Sequence, residues 1–241
     1  MKRILVMAIL LCTSYGMQAQ WGKKIKGNGN VVTLERETAD YEEISISGWF
    51  NIELVNGREG EITLRGEENL LKYVETEVDG GELKIKERKG VNLKPTKWKD
   101  GIVITIPVES IEAISLSGSG NVSSRTVLQS ERLETSVSGS GDIELEIESD
   151  KVKSNVSGSG TISMKGKTKD LEIRMSGSGD LDAFDLEADD VEVQVSGSAD
   201  VQVTANKSLK ANVSGSGDIR YKGNPKKVDS KKSGSGEITK A

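Results

Sequence analysis

Seven positions placed directly after a repeated tetrapeptide carry oxygen donors: Asn121, Asp142, Thr161, Asp180, Asp200, Asp218 and Glu237. On neighbouring strands, about 4.8 Å apart, they form a column. Four successive carboxylates, from Asp180 to Glu237, repel one another unless they are solvated or bridged. Such a column suits a hard cation such as Ca²⁺, or a substrate rich in hydroxyls. Asp and Asn are equally the residues that turns prefer and that discourage strand edges from aggregating. Asp142, Asp180, Asp200 and Asp218 are therefore weak metal candidates, and no metal or other cofactor is expected. The nine-residue Gly-Gly-x-Gly-x-Asp period of calcium-binding repeats is absent. Two rows of serine hydroxyls could bind sugars or form a small hydrated face. Trp49, beside Phe50 in a strand, and Trp98, in a loop with Lys94, Lys97 and Lys99, are candidate ligand surfaces, or in the bland reading cap contacts.

Other chemistry is excluded by what the chain lacks. It has no histidine, so it has no Ser-His-Asp or Cys-His pairing and no histidine general base or zinc ligand. Its one cysteine, Cys12, lies in a segment expected to be removed. Arg65, Arg88 and the scattered acids show no spacing that suggests general acid–base work, and no enzyme activity is expected.

The elements that must position these residues repeat. Ser-Gly-Ser-Gly begins at Ser117, Ser138, Ser157, Ser176, Ser214 and Ser233, and a seventh copy reads Ser196-Gly197-Ser198-Ala199. Successive starts are 21, 19, 19, 20, 18 and 19 residues apart. A period held over seven copies marks a stacked array rather than a linker. Each copy is flanked by alternating residues, as in Leu133-Glu134-Thr135-Ser136-Val137 and Ile143-Glu144-Leu145-Glu146-Ile147, which predicts strands with one buried face. A hairpin with an even loop would set Val137 opposite Asp142, and only an odd loop pairs Val137 with Ile143. Read as one continuing strand, Val137, Gly139, Gly141, Ile143 and Leu145 point inward and Ser138, Ser140, Asp142 and Glu144 outward. Inward glycines let the backbone bend or approach the opposite wall, at an entropic cost of about 0.5–1 kcal/mol each. The polar links Glu148–Lys151, Gly166–Asp170 and Gly223–Lys227 are expected to be turn-like and to absorb differences in length. The reading is all-β: a single-stranded parallel β-helix, or β-solenoid, with ~19–20-residue coils.

Residues 20–110 are less regular and are expected to cap the repeat region, 111–241. Ile44–Ile52 is a degenerate copy of Ile114–Val122. Strands are predicted at Val31–Glu35, Glu61–Arg65, Glu82–Lys86 and Ile102–Ile106, a short helix around Glu68–Val74, a turn at Gly80-Gly81, and a loop over Gly90–Lys99. Little chain follows the last copy, so an uncovered final coil is expected to invite association, including homo-oligomers through its edges.

Residues 1–19 read as a secretory signal peptide, with Lys2 and Arg3, the apolar run Ile4–Leu11, and cleavage after Ala19. Leu11 stands before Cys12 where lipoprotein processing wants a small residue. The protein is thus expected to be exported to the periplasm, the outer-membrane surface or beyond, with no membrane span. The formal net charge of −5 becomes −7 without Lys2 and Arg3. That balance gives no footprint for nucleic acid or anionic lipid.

Gly27-Asn28-Gly29-Asn30-Val31, Tyr41–Gly48 and the Ile-x-Leu-Ser-Gly-Ser-Gly coils together resemble the bacterial head-GIN-domain proteins, described as autotransporter adhesins and common in Bacteroidetes. The resemblance covers nearly all of the expected mature chain. It implies a right-handed parallel β-helix in the cell envelope and carries over no catalytic residue. No stretch after the repeats has room for a membrane barrel. The leading expectation is a non-catalytic adhesin-like module that binds an envelope protein or a glycan. Alternatives are a carbohydrate-active β-helix enzyme using its Asp residues, or an assembly component docking through its open final coil.

Overall fold

The computed structural model describes residues 22–97 and 101–241, so the expected signal peptide and Trp98 lie outside the described residues. The repeat region is built as its alternation predicts. After the short strand β10 (Ala113–Gly118) come five long strands, one per coil: β11 (Asn121–Gly139), β12 (Asp142–Gly158), β13 (Thr161–Gly177), β14 (Asp180–Gly197) and β15 (Asp200–Gly215). A broken last coil follows, made of β16 (Ile219–Lys222), β17 (Lys227–Gly234) and β18 (Ile238–Lys240). Every coil pairs with the next in parallel and in register, so equivalent residues stack: Val137 on Val156, Met175, Val195 and Val213. The chain is a β-solenoid of about 7 turns with ~19-residue coils.

The tetrapeptide is a corner, which refines the expectation of an unbroken strand. Each long strand stops at its first glycine and restarts at the residue after the second. The inward–outward alternation nevertheless survives, because Val137, Gly141, Ile143 and Leu145 are buried while Ser138, Ser140, Asp142 and Glu144 are exposed. Hydrogen bonding also continues around the bend. Ser140 N–H donates to Gly118 C=O at 2.8 Å, Ser159 to Gly139 at 2.8 Å, and Ser178 to Gly158 at 2.9 Å.

The two glycines are needed for different reasons. Gly139 has φ +125°, a region that L side chains avoid, and a Cβ there would lie 2.4 Å from Gly118 O. Gly141 has ordinary φ, but its Cβ would lie 2.6 Å from Gly120 O and 2.7 Å from a Leu116 methyl. Ala199 occupies this second column, fully buried, so one coil accommodates a methyl there.

The polar links differ from expectation. Glu148–Lys151 and Gly166–Asp170 stay within the strand ladder, and only Gly223–Lys226 leaves it. The phase of burial changes at the first two, where Ser149 and Val152 are buried on either side of the exposed pair Asp150 and Lys151. Length is absorbed by bulges. Ala183 and Glu187 of β14 face the adjacent residues Val203 and Thr204 of β15, leaving Phe184-Asp185-Leu186 as extra chain.

Buried Val, Ile, Leu, Met and Ala fill the interior. It also holds Thr135 and Ser154, stacked on successive coils with their hydroxyls 2.7 Å apart. Each satisfies the other, which avoids the cost of a buried unpaired hydroxyl.

The N-terminal strands are β1 (Lys23–Lys26), β2 (Val31–Glu37), β3 (Glu43–Gly48), β4 (Asn51–Asn56), β5 (Glu61–Glu67), β6 (Val74–Asp79), β7 (Glu82–Glu87), β8 (Val91–Lys94) and β9 (Val103–Val108), with one helical turn, α1 (Glu68–Leu71). The degenerate copy is a true coil: β3 lies on β10 with Ile44 beside Ile114 and Gly48 beside Gly118, and Asn51 and Ile52 of β4 lie beside Asn121 and Val122. Sequence order and stacking order then part. β7 and β9 pair with the far sides of β3 and β4, so a later segment forms the coil below an earlier one. Antiparallel strands close this end, β6 on β7, and β5 between β9 and β2. Val91–Lys94, expected as loop, is a strand paired with β1, and the helix is shorter than predicted.

Gly139→Ala combines forbidden φ with backbone contact and is expected to lose about 2–4 kcal/mol. Ala199→Gly is expected to lose about 1 kcal/mol. Urea unfolding midpoints of the two variants check this; equal losses would refute the distinction between the columns.

Candidate functional site

The oxygen-donor column forms as the spacing implies, with Asn51, Asn121, Asp142, Thr161, Asp180 and Asp200 as successive cross-strand partners just past the corner. Their side chains complete the backbone ladder. At this position each coil's N–H needs an acceptor on the coil below. Asn121 donates to Phe50 C=O, Asp142 to Gly120 C=O and Asp180 to Gly160 C=O. Elsewhere a carboxylate substitutes. Thr161 N–H donates to Asp142 Oδ1 at 3.1 Å, Asp218 to Asp200 Oδ1 at 3.0 Å, and Glu237 to Asp218 Oδ1 at 2.9 Å. Asp142, Asp200 and Asp218 therefore serve as rung-to-rung caps. Among the described residues no group of three or more His, Cys, Asp or Glu side chains converges to hold a metal ion.

The Gly-Ser-Gly corner explains Trp49 and Phe50. Through the pairing of Gly48 with Gly118, Trp49 takes the place of the corner's second serine and Phe50 that of its second glycine. Phe50 is fully buried and plugs the position that glycine leaves small in later coils. Trp49 is half-buried against the core, its ring 5.6 Å from that of Phe50, and its indole N–H donates to Glu87. It is part of the cap.

The Gly27–Asn30 motif is a clasp. Buried Glu67, the residue before α1, accepts from Gly29 N–H, from Thr96 N–H at 2.8 Å and from the Thr96 hydroxyl at 2.9 Å. Asn30 donates to Glu68 at 2.9 Å, Asn69 accepts from Asn28 N–H at 3.0 Å, and Asn69 donates to Lys26 C=O at 2.7 Å. Gly27 is required because a Cβ there would fall 1.9 Å from Glu67 Oε2. Burial disfavours the Glu67 charge, but the three donors outweigh it and hold its pKa below the ordinary value.

The outward face carries one of the serine rows expected from the repeat and, beside it, a polar column that sequence reasoning did not single out. Ser47, Ser117, Ser138, Ser157, Ser176, Ser196, Ser214 and Ser233 stand in one exposed row. Beside it run Asn155, Arg174, Gln194 and Asn212. Between the two rows lies a groove of about 580 Å³, with Arg174, Gln194, Asn212 and Lys231 along one bank, Ser196, Ser214 and Ser233 along the other, and Lys232 between them. The signal was the outward half of each alternation, which becomes a surface only once the coils are in register.

Asp218→Ala removes the acceptor for Glu237 N–H and is expected to lower stability by about 0.5–1.5 kcal/mol by denaturant unfolding. Added Ca²⁺ is expected to leave the thermal midpoint where an equal ionic strength of Na⁺ leaves it; a Ca²⁺-specific rise abolished by Asp→Asn changes at Asp142, Asp180, Asp200 and Asp218 would establish a metal site. The Glu67 contribution is full above the ordinary carboxylate pKa, near 4.3, and is lost as pH falls through its lower folded value. Glu67→Gln is therefore expected to be less stable at neutral pH and flatter in its acid limb, measured by thermal midpoint against pH.

Residues 40–225 match a family described as "Putative auto-transporter adhesin, head GIN domain". Solved structures similar to the chain include the following three. A "putative adhesin" of Bacteroides fragilis is 21% identical, with a TM-score of 0.82 over 90% of this chain and 100% of that one. A "putative lipid binding protein" of Parabacteroides distasonis is 30% identical, with a TM-score of 0.76 over 91% and 100%. A "putative adhesin" of Parabacteroides merdae is 22% identical, with a TM-score of 0.72 over 91% and 99%. No curated protein matches the chain.

Proposed function

The chain belongs to the family of auto-transporter adhesins with a head GIN domain, and from that premise we propose that it is an exported, non-catalytic cell-envelope module that binds a glycan or envelope protein across its outward columns. The observation that carries this is the groove beside the serine row, where Arg174, Gln194 and Asn212 on three successive rungs present guanidinium and amide groups beside hydroxyls. Planar amides and guanidinium groups hydrogen-bond in two directions at fixed geometry, which is how extended polar ligands are held. The rung spacing of about 4.8 Å repeats those contacts along the axis, so weak contacts add through effective concentration. Asp142, Asp200 and Asp218 cap the ladder and Glu134 and Glu192 form ion pairs, which weighs against the β-helix enzyme reading.

The description of the Parabacteroides distasonis neighbour as lipid binding does not extend to an acyl chain held inside the coils here. The inward positions are filled by stacked Val, Ile, Leu and Ala that are nearly wholly buried. No helix among the described residues is long and apolar enough to cross a membrane.

Residues 20–241, immobilised and exposed to a glycan array and to detergent-solubilised envelope, are expected to retain a glycan or protein without turning it over. Gln194→Ala with Asn212→Ala is expected to weaken that retention about tenfold or more. Release of cleaved oligosaccharide, or retention unchanged by the double variant, would refute this reading.

A further inference from the structure

Among the described residues most lysines of the long coils pair with an acid, and those of the last coil do not. In the long coils, lysines pair with an acid one coil below: Lys153 with Glu134 at 2.9 Å, Lys165 with Glu146 at 3.1 Å, Lys169 with Asp150 at 2.7 Å and Lys210 with Glu192 at 2.9 Å. The same register places uncharged residues beneath the last cations. Lys227 lies on Ser208, Lys231 on Asn212, Lys232 on Val213 and Lys240 on Tyr221. Lys226 follows at the preceding link, its N–H bonded to Lys207 C=O. Among the described residues no acidic side chain forms an ion pair with Lys226, Lys227, Lys231 or Lys232. Residues 218–241 hold seven cations and three acids in a chain of formal net charge −5.

Two of these lysines stand where the core would continue. Lys232 extends the inward column of Val195 and Val213, and Lys240 the column of Val203 and Tyr221. An inward charge on the outermost rung prevents a further strand or a second copy from stacking there. Every residue of β17 is exposed, and Val228 is 46% exposed among the lysines.

The cations come from Arg220 and Lys222 on β16, Lys226 and Lys227 at the link, Lys231 and Lys232 on β17, and Lys240 on β18. They ring the coil rather than line one groove. A linear polyanion lying along the axis reaches one column, whereas an extended anionic plane reaches all of them. We propose that the last coil is a docking face for an anionic lipid bilayer, which the molecule meets end-on, because the rest of its surface is net acidic and is repelled. Lys231 and Lys232 also line the end of the groove proposed above, but the lipid and salt comparisons read this face without any glycan or protein ligand.

The full expected mature chain is sedimented with vesicles of phosphatidylcholine alone or mixed with phosphatidylglycerol. Partitioning is expected only with the anionic vesicles and is expected to fall as added salt shortens the screening length. Changing Lys226, Lys227, Lys231 and Lys232 together to Gln is expected to weaken it on the order of a hundredfold. Lys165→Gln with Lys169→Gln, on an earlier coil, is expected to leave it unchanged. The lipid and salt comparisons use unaltered protein and stand even if a variant folds poorly. Equal binding to neutral vesicles, no binding to either, or capture by soluble polygalacturonate or an acidic protein in place of vesicles would each overturn the proposal.

Discussion

Successive backbones approach closely at the corner, and the rest of the structure depends on it. Gly118 O lies 2.4 Å from where a Cβ on Gly139 would be, Gly139 O 2.3 Å from the same place on Gly158, and Gly158 O 2.4 Å from that on Gly177. No side chain fits between coils at this edge, so each coil drops onto the last until its amides meet the carbonyls below. The register so fixed carries around the whole turn. Because alternation survives the corner, the same constraint separates a filled interior from a columnar exterior.

The two ends of the stack are finished differently. At the start, Phe50 stands where later coils have glycine, and antiparallel strands replace the parallel ladder. At the other end, lysines stand where later coils would need valine, and the ladder is left exposed but guarded. One end is closed by volume and the other by charge.

Much of this was legible in the chain. The glycine repeat and the period-two alternation identified the solenoid, and the degenerate copy at Ile44–Ile52 identified a coil, because both signals are local and recur. What escaped depends on contacts between distant residues. Val91–Lys94 looks like loop between Gly90 and Pro95 until β1, nearly seventy residues earlier, supplies its partner. The placing of β7 and β9 below β3 and β4 leaves no local mark, since hydrophobic alternation does not state which neighbour a strand chooses. The Asp column was located correctly, but its use as a backbone acceptor required knowing which N–H lies above each carboxylate. The charge of the last coil was visible as composition and meaningless without register, since pairing decides whether a lysine is spent or available.

The bulge of β14 shows what the corners permit. Phe184 to Leu186 have no partner on β15, yet Gly215 still stacks on Gly197. Since every coil presents the same upper and lower edges, removing or duplicating a whole unit joins like to like. Unequal recombination between such repeats would change the molecule's length in steps of one layer while leaving its chemistry intact, so reach and recognition can evolve separately in a protein built this way.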